Sequence, residues 1–468
     1  MRDSDSHNGR SDSKGRVPTV SNVTRRALLG AGTAGLAGTA LFGVTSAKTE
    51  DDSGADPEAY FSVAEYGAEG DGTADDAAAI QAAIEDAVEA GGGIVFFPVG
   101  TYRVTETLRV DAVANVVLEG VGNGSRIVAD SRDMTVVHVG SGEDRDIYHD
   151  YRADQGSRHV TIRHLAVDRR QRPSESSTGI RVGDASFTTL RGVSAYNHGR
   201  GITIGVEGGG GIPSHFVSVL DCTLDAHGSR YGDHGFPDAA IKVFAAADIK
   251  IHGTNIVPTN VGIDMVDQSN AVLVNQCTIR NDDGFEYGIL ARDDGFARTV
   301  SNTTIAGARE AQVRVSGNTW MVTVVNSWLG PTDDGESRRG IDVRGGVFRA
   351  QVLGNHVVDH RREGIRVTGN RDLTLVNNVV TGNAAGDGDV DSVLIHGGFQ
   401  HARVTNNRIW SATGRYGARL ADDVDRYIVM GNDFTPADPT APIENGFRND
   451  ASGETGFVVN NLGAEDER

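Results

Sequence analysis

Lysine is almost missing from this chain. Of its 44 Lys and Arg residues only Lys14, Lys48, Lys242 and Lys250 are lysine, so arginine carries the basic charge. Aromatic residues make up only 6% and hydrophobic residues 38%, which argues against a membrane transporter. Proline is rare, with 11 residues against 61 glycines; neither a long helical bundle nor collagen fits this, whereas many tight turns do. Positive charge is short as well, since 64 Asp and Glu leave a net charge of −20 over 468 residues. Nucleic acid is therefore not an expected partner, because a polyanion would be repelled. Many carboxylates with little lysine suit a protein bathed in concentrated salt, where screening removes self-repulsion. A GC-rich genome that writes arginine for lysine gives the same balance. The length allows up to about three domains or one elongated domain.

Residues 1–23 are polar. They are followed by Thr24-Arg25-Arg26-Ala27-Leu28-Leu29 and an Ala/Gly-rich apolar run to Val44. Paired arginines before a weakly hydrophobic stretch that ends in Thr45-Ser46-Ala47 resemble a twin-arginine export signal. The run is short and diluted with glycine for a membrane span, and Thr39 stands where lipid attachment would need cysteine. The expectation is a signal over 1–47, an acidic linker over 48–58, one domain over 59–463 and a disordered tail over 464–468. Removal of the signal leaves 38 basic (44 − 6) and 61 acidic (64 − 3) residues, a net −23. A secreted monomer with no stable membrane anchor is expected.

From Tyr60 the pattern changes. Asp71-Gly72-Thr73-Ala74-Asp75-Asp76 precedes Ala77–Glu89, in which Ile80, Ile84 and Val88 recur every four residues and Ala83 and Ala87 widen the stripe. Thr73 is the expected N-cap, with Asp75 and Asp76 at the positive helix end. Gly91-Gly92-Gly93 stops the helix. Residues 94–98, 100–104 and 116–120 read as short strands. This segment, with Tyr66-Gly67-Ala68, Ala79-Ile80-Gln81-Ala82-Ala83-Ile84 and Pro98-Val99-Gly100-Thr101-Tyr102, resembles the opening module of the pectate-lyase-like superfamily over residues 61–125. The resemblance implies a right-handed parallel β-helix whose first coil is plugged by a helix, and it does not fix the chemistry.

The remainder is repetitive. A phrase of apolar, x, Asn/Asp/Gly, small, x, apolar recurs, its fourth position falling at Leu165, Val193, Cys222, Thr254, Cys277, Thr303, Ser327, Asn355, Asn378, Asn407, Asn432 and Asn461. Eleven intervals from 165 to 461 average about 27 residues, the signature of a solenoid. Short β-rich phrases predict an all-β, single-stranded parallel β-helix. Its five asparagines should stack as a ladder that satisfies their amides from coil to coil. Cys222 and Cys277 share the same position two coils apart. At about 4.8 Å per coil they lie beyond the roughly 7 Å reach of a disulfide, so two buried free thiols are expected.

A second phrase, Gly-Ile-x-Val or a variant, precedes each repeat, and strand alternation sends x outward. The outward column is Thr203, Lys242, Asp264, Leu290, Arg314, Asp342, Arg366, Leu394 and Arg419. One reading is a self-neutralising charge ladder. The other is a polysaccharide groove in which Lys242, Arg314, Arg339, Asp342 and Arg366 bind substrate, arginine forks gripping sugar carboxylates. Salt screening lets a negative protein take such a uronate-rich, pectin-like glycan.

Thr259-Asn260-Val261-Gly262-Ile263-Asp264, followed by Asn281-Asp282-Asp283-Gly284, is partly similar to the polygalacturonase family, Asp282 and Asp283 matching its paired acids. Val261 replaces that family's first aspartate, and its histidine element is missing from the next coil. Hydrolysis needs an acid and a carboxylate about 5–5.5 Å or about 6.5–9.5 Å apart, for which Asp264, Asp282 and Asp283 are the candidates. Asp-Asp-Gly-Phe recurs at 293–296, so it can equally be turn chemistry. A lyase instead needs a base, for which Lys242, Arg314 and Arg366 are candidates, and Ca²⁺ or arginine to neutralise enolate-like charge. A hydrolase needs no cofactor. Asp387-Gly388-Asp389-Val390-Asp391 has calcium-like spacing but lacks the glycine and glutamate of an EF-hand. His198, His227, His234 and His360 show no zinc spacing. An exported polysaccharide hydrolase or lyase is expected; a non-catalytic cell-surface or glycan-binding solenoid is the alternative.

Overall fold

Alternation builds the strands. In Met321–Val325, Arg349–Leu353 and Asp372–Val376 every second side chain is buried and those between it are exposed or half-buried. The computed structural model describes residues 59–464 apart from 112–114, 143–155, 209–210, 333–335, 370, 387–388, 399, 412–414, 422, 436–445 and 452–454. The expected signal, the linker, and residues 465–468 of the tail lie outside the described residues. Those described fall in one compact unit, Asp56–Arg468, and none of their helices is long and apolar enough to cross a membrane.

Strands collect into a sheet of 18 and a sheet of 24. One coil shows the plan. Ser218–Leu220 lies in the first sheet, Thr223–Asp225 and Ala239–Val243 lie in the second, and Ala246–His252 returns to the first. Each pairs in parallel with the equivalent strand one coil on. Val219, Leu224, Ile241, Val243, Ile249 and Ile251 point inward and are fully buried in one continuous apolar core.

The helix Ala77–Glu89 buries Ala77, Ile80, Ala83, Ile84 and Ala87 against the first coil. Its start differs from expectation. Asp71 captures the Thr73 amide and hydroxyl and the Ala74 amide (2.6, 2.5 and 2.9 Å), and Asp71–Asp75 is drawn into a strand beside Gly100–Val104. Asp76 takes the N-cap position instead, but its buried carboxylate accepts the Glu69 and Gly70 amides (2.7 and 3.2 Å) and not a helix amide.

The repeat phrase has a physical cause. Its third position (His164, Gly192, Asp221, Gly253, Gln276, Asn302, Asn326, Gly354, Asn377, Asn406, Gly431 and Asn460) has positive φ in all twelve coils, a conformation that favours Gly, Asn and Asp. The turn throws the fourth residue inward. There each asparagine side-chain oxygen accepts the backbone and side-chain amides of the preceding coil's asparagine at 2.9–3.0 Å, from Asn355 to Asn461. Ser327 and Thr303 extend the chain of bonds toward Cys277. Cys222, Thr254 and Cys277 occupy one column, because Thr223, Asn255 and Thr278 are in register. Both thiols are free, and burial pushes them up to about 12 and about 11.

The middle of the ladder should be costlier to break than its end. Asn378→Leu removes the acceptor of the Asn355 backbone amide and of one Asn355 side-chain N–H, the other keeping Val324, and a donor to the Val352 carbonyl. The expected loss is about 2–4 kcal/mol, read as a shift in the denaturation midpoint. Asn461 is half-buried, and its replacement should cost clearly less; equal losses at the two sites would contradict the ladder's role.

Candidate functional site

The outward column is continuous. Arg109, His138, Arg181, Thr203, Lys242, Asp264, Leu290, Arg314, Asp342, Arg366, Leu394, Arg419 and Arg448 are register partners on successive coils. The face is not open, however. Asp264 is 1% and Asp342 0% exposed, because arginines roof them.

Asp342 is bonded by Arg366 (2.9 and 3.1 Å), Arg314 (3.1 Å) and Arg344 (3.1 Å). Arg314 also reaches the Tyr287 hydroxyl at 2.5 Å and lies over its ring. Three of the expected substrate contacts, Arg314, Asp342 and Arg366, are thus brought together as one ionic network. Arg339 is elsewhere, buried against Glu363 at 2.7 Å. Asp264 is gripped by Arg292 (3.2 and 2.8 Å), with the Lys242 ammonium 3.4 Å away.

Asp264 does not join Asp282 and Asp283. Asp264 is in register with Leu290, whereas Asp282 and Asp283 sit eight and seven residues earlier on the strand Thr278–Ala291, within the register shift between Arg280 and Phe285. They are largely exposed, Asp282 held by Arg280 at 2.8 Å and Asp283 3.7 Å from His227. Of the calcium-like run, Asp387 and Gly388 lie outside the described residues, and the two described acids are already paired. Arg415 binds Asp389 at 2.9 Å and Asp391 at 3.2 and 3.1 Å, so a guanidinium holds the acids a metal would need. Among the described residues no group of three or more His, Cys, Asp or Glu is placed to hold a metal ion.

A cleft opens beside Lys242. Three connections between the two strands of the second sheet build it: residues 130–134, 170–177 and 226–238. The connection between them, Tyr196–Gly199, is short and lies beneath. The longest connection folds back over it and is fastened two coils away. Ser229 Oγ and the Arg230 amide donate to buried Asp168 at 2.8 and 3.4 Å, and the His234 amide donates to Asn197 at 3.2 Å. Asp168 also takes Arg126 at 2.5 Å. The resulting cleft of about 770 Å³ is lined by Arg132, Arg172, Glu175, Arg200, His234, Asp238 and Lys242, among others.

Within it the Lys242 ammonium bonds both Asp238 oxygens at 2.9 and 2.8 Å, and Arg200 Nε bonds the same carboxylate at 2.5 Å. Glu207 receives the remaining Arg200 nitrogens at 2.8 and 3.5 Å. Both Asp238 oxygens and, more distantly, Asp264 surround the ammonium, and Lys242 brings its positive charge to the cleft lining. Arg132 and Arg172 add positive charge at its rim. The chemistry available is recognition of a carboxylate by Lys242 and its neighbours, with the His234 imidazole for proton transfer. Sequence reading reached Lys242 but not Arg200, Asp238 or His234 as a group. The signal was the repeat interval from 222 to 254, at 32 residues the longest of the eleven, which marks the long connection.

Residues 60–289 match a family model described as rhamnogalacturonase A/epimerase, pectate lyase-like, and residues 262–434 match the right-handed β-helix region. Mannuronan C5-epimerase AlgE5 of Azotobacter vinelandii is 39% identical over 92 residues, 19% of this chain and 8% of that protein. Alginate lyase 7 of the same organism is 37% identical over 98 residues, 19% of this chain and 11% of that protein. The chain thus spans about a tenth of the length of these relatives. Among solved structures, the tailspike protein of E. coli bacteriophage HK620, in complex with pentasaccharide, has a TM-score of 0.56 at 14% identity, covering 85% of this chain and 80% of that one. The Agl-KA catalytic domain has a TM-score of 0.53 at 14% identity, covering 87% and 68%. These structures share the fold.

Proposed function

We propose that this chain, which belongs to the pectate-lyase-like superfamily of right-handed parallel β-helix proteins, binds uronate-rich polysaccharide in the Lys242 cleft and removes the proton next to a sugar carboxylate. The single observation that carries the reading is a cleft lined by four cations, Arg132, Arg172, Arg200 and Lys242, against two acids, Glu175 and Asp238, beside His234, in a chain whose net charge is −20. Such local charge selects an acidic ligand by contact once salt screens the long-range field.

The relatives' names supply the chemistry to weigh. A C5-epimerase and a lyase share a first step, removal of the C5 proton, whose electron pair moves into the carboxylate as enolate-like charge. Return of a proton to the opposite face inverts C5; loss of the C4 oxygen with its electron pair cleaves the chain. In this chain Lys242 stabilises the enolate-like charge, and His234 takes the proton. Hydrolysis is less well supported. Both Asp238 oxygens are occupied by Lys242 and Arg200, and Asp264 is occupied by Arg292. Export by the twin-arginine route, read from Thr24–Leu29, belongs to the same proposal.

The test is a panel of uronate-rich and neutral polysaccharides incubated with the full chain in concentrated salt and D₂O. Unsaturated ends absorbing in the ultraviolet, or deuterium at C5 with inversion, are expected only from the uronate-rich members. His234→Gln should lower that activity by about 10²–10⁴-fold while leaving binding in place. Reducing ends with neither signal would replace the reading by hydrolysis, and binding with no product would leave a non-catalytic solenoid.

A further inference from the structure

The column begins with two arginines and a histidine that, among the described residues, have no carboxylate ion-pair partner. Arg109, His138 and Arg181 are direct register partners on three successive coils. Among the described residues no carboxylate forms an ion pair with any of them. The acids that act on them from nearby are Asp111 and Glu207, and Glu207 is spent on Arg200.

The hydrogen bonding points the same way. Arg109 donates toward His138 Nδ1 at 3.4 Å, which makes Nδ1 the acceptor and puts the proton of a neutral ring on Nε2. Burial, with Arg181 and Arg109 next in effect, pushes the His138 imidazole down to about 4, so the neutral form is the relevant one. His138 is 7% exposed, and its Nε2 has no acceptor; neither does buried Arg181 Nε. The two nitrogens face one spot. A Cβ built on Gly183 would lie 3.4 Å from Arg181 Nε and 3.5 Å from both His138 Nε2 and the Gly205 carbonyl oxygen, and glycine leaves that space free of a side chain. Two buried N–H groups without acceptors thus border one gap beside the Arg109 and Arg181 guanidinium groups, whose charge favours an anionic oxygen; leaving such donors unpaired is costly.

We propose that Arg109, His138 and Arg181 form an anion site that takes a carboxylate of the acidic polysaccharide, a reading that rests on the function assigned to the Lys242 cleft. His138 lies three rungs from Lys242, about 14 Å at the usual strand spacing. The site therefore grips a sugar carboxylate a few residues along the same chain from the one being processed, and favours long substrates over short ones.

The experiment uses the full chain with labelled histidine, His138 and His234 being assigned through His138→Gln and His234→Gln. Sodium acetate, sodium sulfate and oligouronates of increasing length are added at low chloride. Acetate and sulfate should shift the His138 signals, Arg181→Gln should weaken that response about tenfold or more, and long oligouronates should bind more tightly than short ones only when Arg181 is present. His138 signals that ignore both small anions and an oligouronate that saturates His234 would overturn the site. Failure of every oligouronate to move His234, with His138 still answering sulfate, would sink the cleft assignment and leave a free-anion site standing.

Discussion

Asp342→Ala is expected to destabilise the native protein by about 3–5 kcal/mol, among the largest losses a single substitution in this fold should produce. The carboxylate is fully buried and is the shared acceptor of Arg314, Arg344 and Arg366. Alanine removes the one anion and leaves three guanidinium groups facing one another, two of them largely withdrawn from water. The penalty comes from uncompensated charge, so it should shrink when an arginine goes too. Asp342→Ala with Arg366→Ala should lose less than the two single losses added together. The effect has a pH signature. Burial alone would raise the Asp342 carboxyl, but Arg366, Arg344 and Arg314 outweigh it and hold the group below the usual carboxylate range. A folded pKa below the unfolded value of about 3.9 means the stabilisation is complete above that value and fades as pH falls through the folded one. Denaturation midpoints of the wild type and Asp342→Ala should therefore differ most near neutrality and converge in acid. A pH-independent gap would assign the loss to packing and not to charge.

Much of this network was legible before any coordinates. The Gly-Ile-x-Val phrase placed Arg314, Asp342 and Arg366 in one column because parallel in-register strands turn equal positions in the text into neighbours in space. The phrase did more than was read from it. Gly179-Ile180-Arg181-Val182 has the same form, and Val137-His138-Val139 and Leu108-Arg109-Val110 keep its alternation, so the column extends three coils before Thr203. Burial could not be read at all. Asp264 and Asp342 are covered by Arg292 and Arg344, which lie outside the phrase, so an outward position was taken for an exposed one. Thr73 misled for a different reason. Its capping pattern is genuine, but Asp71 binds it locally and the neighbouring strand takes the backbone, a tertiary pairing that overrides local propensity. Asp282 and Asp283 matched a motif of the paired-acid kind, but a motif fixes residue types and not the side of a bend on which they lie. The cleft itself depends on connection lengths, long over 170–177 and 226–238 and short over Tyr196–Gly199, and strand periodicity carries no information about those.

Lys242→Met is expected to reduce turnover on uronate-rich polysaccharide by about 10²–10³-fold, the loss typical of removing one preorganised donor from developing negative charge. The substitution separates charge from shape. Methionine fills the stem's path beneath the cleft, Asp238 keeps Arg200 at 2.5 Å, and Asp264 keeps Arg292 at 2.8 Å, so each carboxylate retains a cation and the coil should stay folded. What disappears is the ammonium at the cleft lining, a donor that a substrate carboxylate would share with Asp238 and Asp264. A carboxylate that gains enolate-like charge during proton removal interacts with that donor more strongly at the barrier than when merely bound. The fall should therefore appear chiefly in kcat, with a smaller rise in KM. Arg132 and Arg172 at the rim act on the bound chain from further out, and Arg172→Gln should show the opposite split, a raised KM with kcat little changed. Lys242→Arg keeps the charge on a longer, planar group and should recover part of the activity, which a purely structural role for the lysine would not predict. Full activity in Lys242→Met, with an unchanged denaturation midpoint, would remove the cleft as the place where chemistry occurs and move attention along the same wall to the Arg314–Asp342–Arg366 network.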